Sequence, residues 1–158
     1  ICVAENEFDR IIGFEDIPTA GAFTVFDKTR DMFQVARNYV HFFQHESCGF
    51  CTPCRVGTSL LKNLMDKLHN GCGSPYDFTE IEKLNQLLQS MSHCGLGHTA
   101  CNPVLDTIAK FRPYYDQRMT QQDFTPAFNL DRALAAARQM TGRDDAAAHL
   151  STEHGGAA

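Results

Sequence analysis

Several features are missing from this 158-residue chain, and each absence excludes something. No stretch approaches eighteen uninterrupted apolar residues, so no segment reads as a membrane span. No basic run interrupts a formal net charge of −5, which argues against nucleic acid and against an anionic membrane surface as partners. No GxGxxG dinucleotide fingerprint is present, so a nucleotide site of that type is not expected within these residues. There is neither an initiator Met nor a signal peptide, and Ile1-Cys2-Val3 reads as the interior of a longer protein. The seven cysteines are odd in number and carry no secretory mark. They predict a reducing compartment, the cytoplasm, and metal or cluster chemistry in place of a disulfide framework.

What is present centres on Glu46 to Gly57, ESCGFCTPCRVG, where Cys48, Cys51 and Cys54 form a CxxCxxC run. Two-residue gaps let successive thiolates curl around one small inorganic object, and three such ligands can hold three corners of an iron–sulfur cube. Gly49 can supply the positive φ of a curled loop. Thr52 and Pro53 read as the N-cap and first residue of a helix, so Cys54 would lie in its first turn. N–H groups at that helix start would help to carry negative charge. A structural zinc site is the rival, although zinc thiolates usually come as separated CxxC pairs or with His. Two residues compete to be the fourth ligand. Cys94, in SHCGLGH, has glycines on both sides of Leu96 that permit close backbone approach; Cys101, in ACNP, stands near a proline as in a bacterial ferredoxin ending.

ESCGFCTPCRVGTSLL, followed about forty residues later by SHCGLGHTACNPVLDTIAKFRP, resembles the C-terminal part of the family of NADH-binding flavoprotein subunits. That family includes the flavin subunit of respiratory complex I and the diaphorase subunits of NAD-reducing hydrogenases and NAD-dependent formate dehydrogenases. The wording is most similar to the hydrogenase diaphorase branch. The resemblance implies a [4Fe–4S] cluster bound by Cys48, Cys51, Cys54 and Cys94, with FMN and NAD held by an upstream part of the protein. It also implies partners in a multi-subunit redox complex: an iron–sulfur diaphorase subunit and a hydrogenase or dehydrogenase module.

The remaining pattern is mainly helical. Asp31–His45, Thr52–His69 and Asp77–Met91 have apolar residues at helical spacing, and Asn102-Pro103 opens a fourth helix that Pro113 interrupts. Tyr39, Phe42, Val56, Leu87 and Met91 are counted among the buried positions. Thr79 with Glu82, or Asp77 with Glu80, has the spacing of a capping box. Four helices with short connections predict an up-and-down bundle over 29–119, holding the cluster at one end. Residues 1–28 read as the remnant of a β-grasp-like insert and linker, with Ala22–Phe26 strand-like. Residues 120–158 read as an extended arm and frayed tail, in which Phe124, Pro126 and Phe128 suggest a docking segment and Asp131–Met140 a short Ala-rich helix. Asp144 and Asp145 read as solvated charge, and His41 and His45 as surface or supporting residues. Arg55 either offsets cluster charge or is solvated. Cys2 and Cys72 read as ordinary cysteines.

The expected role is therefore electron transfer within an NADH:acceptor oxidoreductase. The fragment by itself would carry electrons without oxidising NADH. A free-standing ferredoxin-like carrier and a zinc-stabilised interaction module are the competing readings.

Overall fold

The computed structural model describes residues 2–15, 17, 21–120 and 127–144. Of these, 63% are helical and none is in a strand. The chain divides into two units, 1–125 and 126–158.

In the first unit the helices are α1 (Met32–Glu46), α2 (Thr52–His69), α3 (Pro75–Met91), α4 (Gly95–Thr99), α5 (Asn102–Lys110) and α6 (Arg112–Asp116). Helix α2 packs against α1 and α3, α5 packs on α1, and the short α4 packs on α3 and α2. Each long helix buries one stripe. Phe33, Ala36 and Val40 do so on α1; Leu61, Leu64, Met65 and Leu68 on α2; Ile81, Leu84 and Leu88 on α3. The stripes are narrower than expected, since Tyr39, Phe42, Val56, Leu87 and Met91 are exposed. One step along a helix turns a side chain by about 100°, which carries Leu87 away from the seam that Leu88 occupies.

Two helix starts differ from the expectation. Helix α3 begins at Pro75, earlier than Asp77, because the capping residues are Ser74 and Asp77: the Ser74 N–H donates to the Asp77 carboxylate at 2.8 Å. The N-cap of α2 is Cys51, with Thr52 already helical and Pro53 in the first turn. The break expected at Pro113 falls at Phe111, and α6 starts at Arg112 with Pro113 in its first turn. It places Tyr115 in the core, where the ring meets Phe33 edge-on at 5.2 Å and the hydroxyl bonds Thr107 Oγ1 at 2.6 Å.

Polar contacts fix the helices laterally. Asp66 on α2 accepts hydrogen bonds from Arg37 Nε at 2.8 Å, His41 Nε2 at 3.0 Å and Lys62 Nζ at 2.9 Å. Burial alone would raise its pKa, but the bonds from Lys62, Arg37 and His41 outweigh it and hold the carboxyl at about 2. A folded pKa below the unfolded value means the contribution is present above about pH 4 and lost as pH falls through about 2. The thermal midpoint of Asp66→Asn should accordingly lie below that of the parent at neutral pH. The two curves should converge on acidification; a gap that persisted at about pH 2 would contradict this assignment.

Ahead of α1, Glu5–Glu7 form a 3-10 turn, and Lys110 on α5 donates to the Cys2 carbonyl and the Glu7 carboxylate, each at 2.6 Å. The strand expected over Ala22–Phe26 is not seen among the described residues. The backbone there has no ladder partner, and Phe23 and Val25 are 71% and 89% exposed. A β-rich composition makes a strand only when a second edge satisfies its N–H and C=O groups.

In the second unit, α7 (Leu130–Thr141) is the expected Ala-rich helix, one residue longer at each end. Asn129 caps it by accepting from the Arg132 N–H at 2.9 Å, and Arg138 pairs with Asp131 and with Asp144, both at 2.8 Å. Asp144 is therefore an ion-pair partner. Phe124, Pro126 and Asp145, with the rest of the tail, lie outside the described residues.

Candidate metal centre

The loop from the end of α1 to the start of α2 carries the CxxCxxC run, and the loop from α3 to α4 carries Cys94. Because α2 packs against α3 and α4, both loops meet at one end of the helices. There Cys48, Cys51, Cys54 and Cys94 line one cavity of about 320 Å³, together with Glu46, Ser47, Phe50, His93 and Leu96. That space is roughly ten times the share of one water molecule in the liquid, about 30 Å³, and suits a multi-atom group. Among the described residues, no three His, Cys, Asp or Glu side chains are spaced to hold a single metal ion.

Local structure accounts for the placement. Helix α1 ends at Ser47 in extended conformation, which turns the chain out into the loop. Gly49 reverses it with φ +76°, a conformation that an L side chain resists. The Arg55 guanidinium then clamps the loop, donating to the Gly49 carbonyl at 2.5 Å and to Thr52 Oγ1 at 3.3 Å. Arg55 is a brace for the loop and does not line the cavity.

Cys51 is the N-cap of α2 and Cys94 the N-cap of α4, while Cys54 sits in the first turn of α2 and is 5% exposed. The backbone N–H of His93 and then that of Cys54 donate to the Cys51 sulfur and lower its pKa from the ordinary thiol value. A thiol biased toward thiolate, beside three others around one cavity, is a donor set for a soft metal or an iron–sulfur cluster. The residues present fit such a group.

Cys101 is not part of this constellation. It is 1% exposed, caps α5 and lines no part of the cavity, and burial pushes its thiol up to about 12. Cys72 is exposed, its thiol directed to the Asn70 carbonyl at 3.7 Å. His41 bonds Asp66, and His45 bonds Glu46 at 3.0 Å; neither lines the cavity. His93 does, with its ring edge-on to Phe50 at 5.5 Å.

The α4 turn and its neighbours were not legible in the sequence. A five-residue helix is too short to show periodicity, and nothing in SHCGLGH singles out His93 as a donor through its backbone. The two glycines around Leu96 also do different jobs. A Cβ at Gly95 would meet nothing within 4 Å, whereas one at Gly97 would fall 2.3 Å from Ser92 Oγ and 3.3 Å from the Cys54 Cβ. Gly97 thus lets α4 close on α2, bringing Cys94 to the same cavity as Cys54.

Comparison with known proteins agrees with this geometry. Residues 34–118 match the family described as the NADH-ubiquinone oxidoreductase-F iron–sulfur binding region. The chain is 34% identical over 136 residues to the NAD-reducing hydrogenase HoxS subunit alpha of Cupriavidus necator, covering 84% of this chain and 23% of that protein. It is 35% identical over 100 residues to the mitochondrial NADH dehydrogenase (ubiquinone) flavoprotein 1 of Dictyostelium discoideum, covering 63% of this chain and 21% of the relative. Among solved structures, a chain of an NAD+-reducing [NiFe]-hydrogenase in the H2-reduced state superposes with a TM-score of 0.70 at 44% identity, covering 89% of this chain and 24% of that one. The chain thus spans between a fifth and a quarter of the length of these relatives. A match over more than half of its residues, centred on the four-cysteine cavity, places this chain in the NADH-ubiquinone oxidoreductase-F iron–sulfur binding family.

Proposed function

We propose that the chain is an electron-relay domain that holds one [4Fe–4S] cluster through Cys48, Cys51, Cys54 and Cys94. The observation that carries this reading is the convergence of those four cysteines, from two separate loops, on one cavity large enough for a cube. In this reading α1, α2, α3 and α5 act as a four-helix bundle with the cluster at one end. Residues 29–119 are the cluster domain, and residues 120–158 an arm toward other subunits. The cluster supplies single-electron storage, and the protein contributes ligation, burial and tuning of its potential.

The wider role follows from the relatives. The domain would form the C-terminal part of a cytoplasmic diaphorase-type subunit whose upstream part holds FMN and NAD(H). It would pass electrons between them and further iron–sulfur centres, in a complex of the NAD-reducing hydrogenase type. The hydrogenase assignment is supported by reach. The two NAD-reducing hydrogenase relatives match over 84% and 89% of this chain, against 63% to 78% for the NADH-quinone oxidoreductase F subunits and the D. discoideum flavoprotein.

Iron and acid-labile sulfide determination on the anaerobically purified chain tests the core of the proposal. About four of each per chain, with a spin-resonance signal that appears on reduction, is expected. Stoichiometric zinc without sulfide would overturn it.

A further inference from the structure

The hydroxyl of Ser47 occupies a position that ligation by itself does not explain. Its oxygen lies 3.4 Å from the Cys54 sulfur, on the wall of the four-cysteine cavity. The same oxygen accepts the Gly49 N–H at 3.4 Å. A serine hydroxyl has one proton to give, so an oxygen lone pair occupied by Gly49 leaves the O–H free to point at sulfur. Cys54, once it ligates a metal, is a thiolate with no proton, and the bond can then run in one direction only, from Ser47 to Cys54. The backbone of Ser47 is anchored where it terminates α1, and Cys54 is 5% exposed, so little water competes for the contact.

We infer that Ser47 is a positioning and tuning residue, donating an O–H···S hydrogen bond to the Cys54 ligand that raises the reduction potential of the bound cluster. The inference rests on the cluster reading above. Reduction adds negative charge that spreads over the cluster sulfurs, and a donor fixed at one sulfur stabilises the reduced state more than the oxidised one.

The test is a redox titration, followed by spin resonance, of the cluster in the complete protein. Ser47→Ala should shift the midpoint to more negative potential. The expected shift corresponds to a fall of about threefold to tenfold in the reduced-to-oxidised ratio at a fixed potential, or about 30 to 60 mV for one electron. Iron and sulfide are counted in the same samples. A parent protein without an iron–sulfur cluster would sink the underlying reading. A Ser47→Ala protein with full iron and an unchanged midpoint would sink this inference alone. Should Ser47→Ala lose iron, the pair Ser47→Thr and Ser47→Val decides, because the two share a shape and differ in the hydroxyl. Thr holding the parental midpoint where Val does not supports the bond. Equal midpoints, or equal loss of iron in both, overturn it.

Discussion

Serine at any one of Cys48, Cys51, Cys54 or Cys94 is expected to empty the centre or reduce it to a degraded, iron-poor form, whereas Cys101→Ser should retain full iron and an unchanged spin-resonance signal. The contrast follows from position. The first four sulfurs line one cavity, and serine would replace a soft thiolate with a harder and far more weakly acidic oxygen ligand. Cys101 is sealed beneath α5 at 1% exposure, with its thiol pushed up to about 12 by burial, so it behaves as a small apolar core residue. Its replacement by serine buries a hydroxyl, which costs about 1–3 kcal/mol of stability if unpartnered and does not touch the ligand set. The decisive comparison is Cys94→Ser against Cys101→Ser by iron count on the same preparation. Retained iron in the first and lost iron in the second would reverse the assignment of the fourth ligand.

The second large effect is expected far from the cavity, at the α2–α3 seam. Lys67 Nζ and Asp77 Oδ1 are 2.8 Å apart, with side chains 7% and 1% exposed. Asp77 also accepts from the Ser74 N–H at 2.8 Å and the Ser74 hydroxyl at 3.2 Å, so one carboxylate ties a helix start to the neighbouring helix. Asp77→Ala removes a carboxylate partner of a buried ammonium and the acceptor of the helix cap together. Breaking a buried pair from one side costs about 3–5 kcal/mol, a large fraction of the stability of a small domain. The double variant Lys67→Met with Asp77→Asn should recover most of that loss. It removes both charges while Asn keeps an oxygen for the Ser74 N–H, and an apolar replacement of similar volume is often neutral. Thermal midpoints at one fixed scan rate would show it. A double variant no better than Asp77→Ala would mean that packing, and not the broken ion pair, sets the cost.

These expectations divide along the line between what the chain encodes locally and what its folding brings together. The three-residue spacing of Cys48, Cys51 and Cys54 is a local property, as are the apolar stripes of α1, α2 and α3 and the break just before Pro113. Each could be read from the sequence because periodicity and loop curl depend only on near neighbours. The Ser74–Asp77 cap was equally local, but Asp77–Glu80 and Thr79–Glu82, at the same spacing and with glutamate at the third position, competed for the same role. Spacing could not choose between Cys94 and Cys101 as the fourth ligand. They lie seven residues apart, and what separates them is that α4 turns one toward the cavity while α5 buries the other. Nor could the sequence show that Gly97 is empty because Ser92 and Cys54 fill its space, or that the His93 N–H serves the Cys51 sulfur. The strand-like Ala22–Phe26 run fails for the same reason in reverse, since its propensity was real and its partner edge was absent from the described residues. Helices satisfy their own backbone and so can be read from sequence. Contacts between loops about forty residues apart exist only once α2, α3 and α4 have packed.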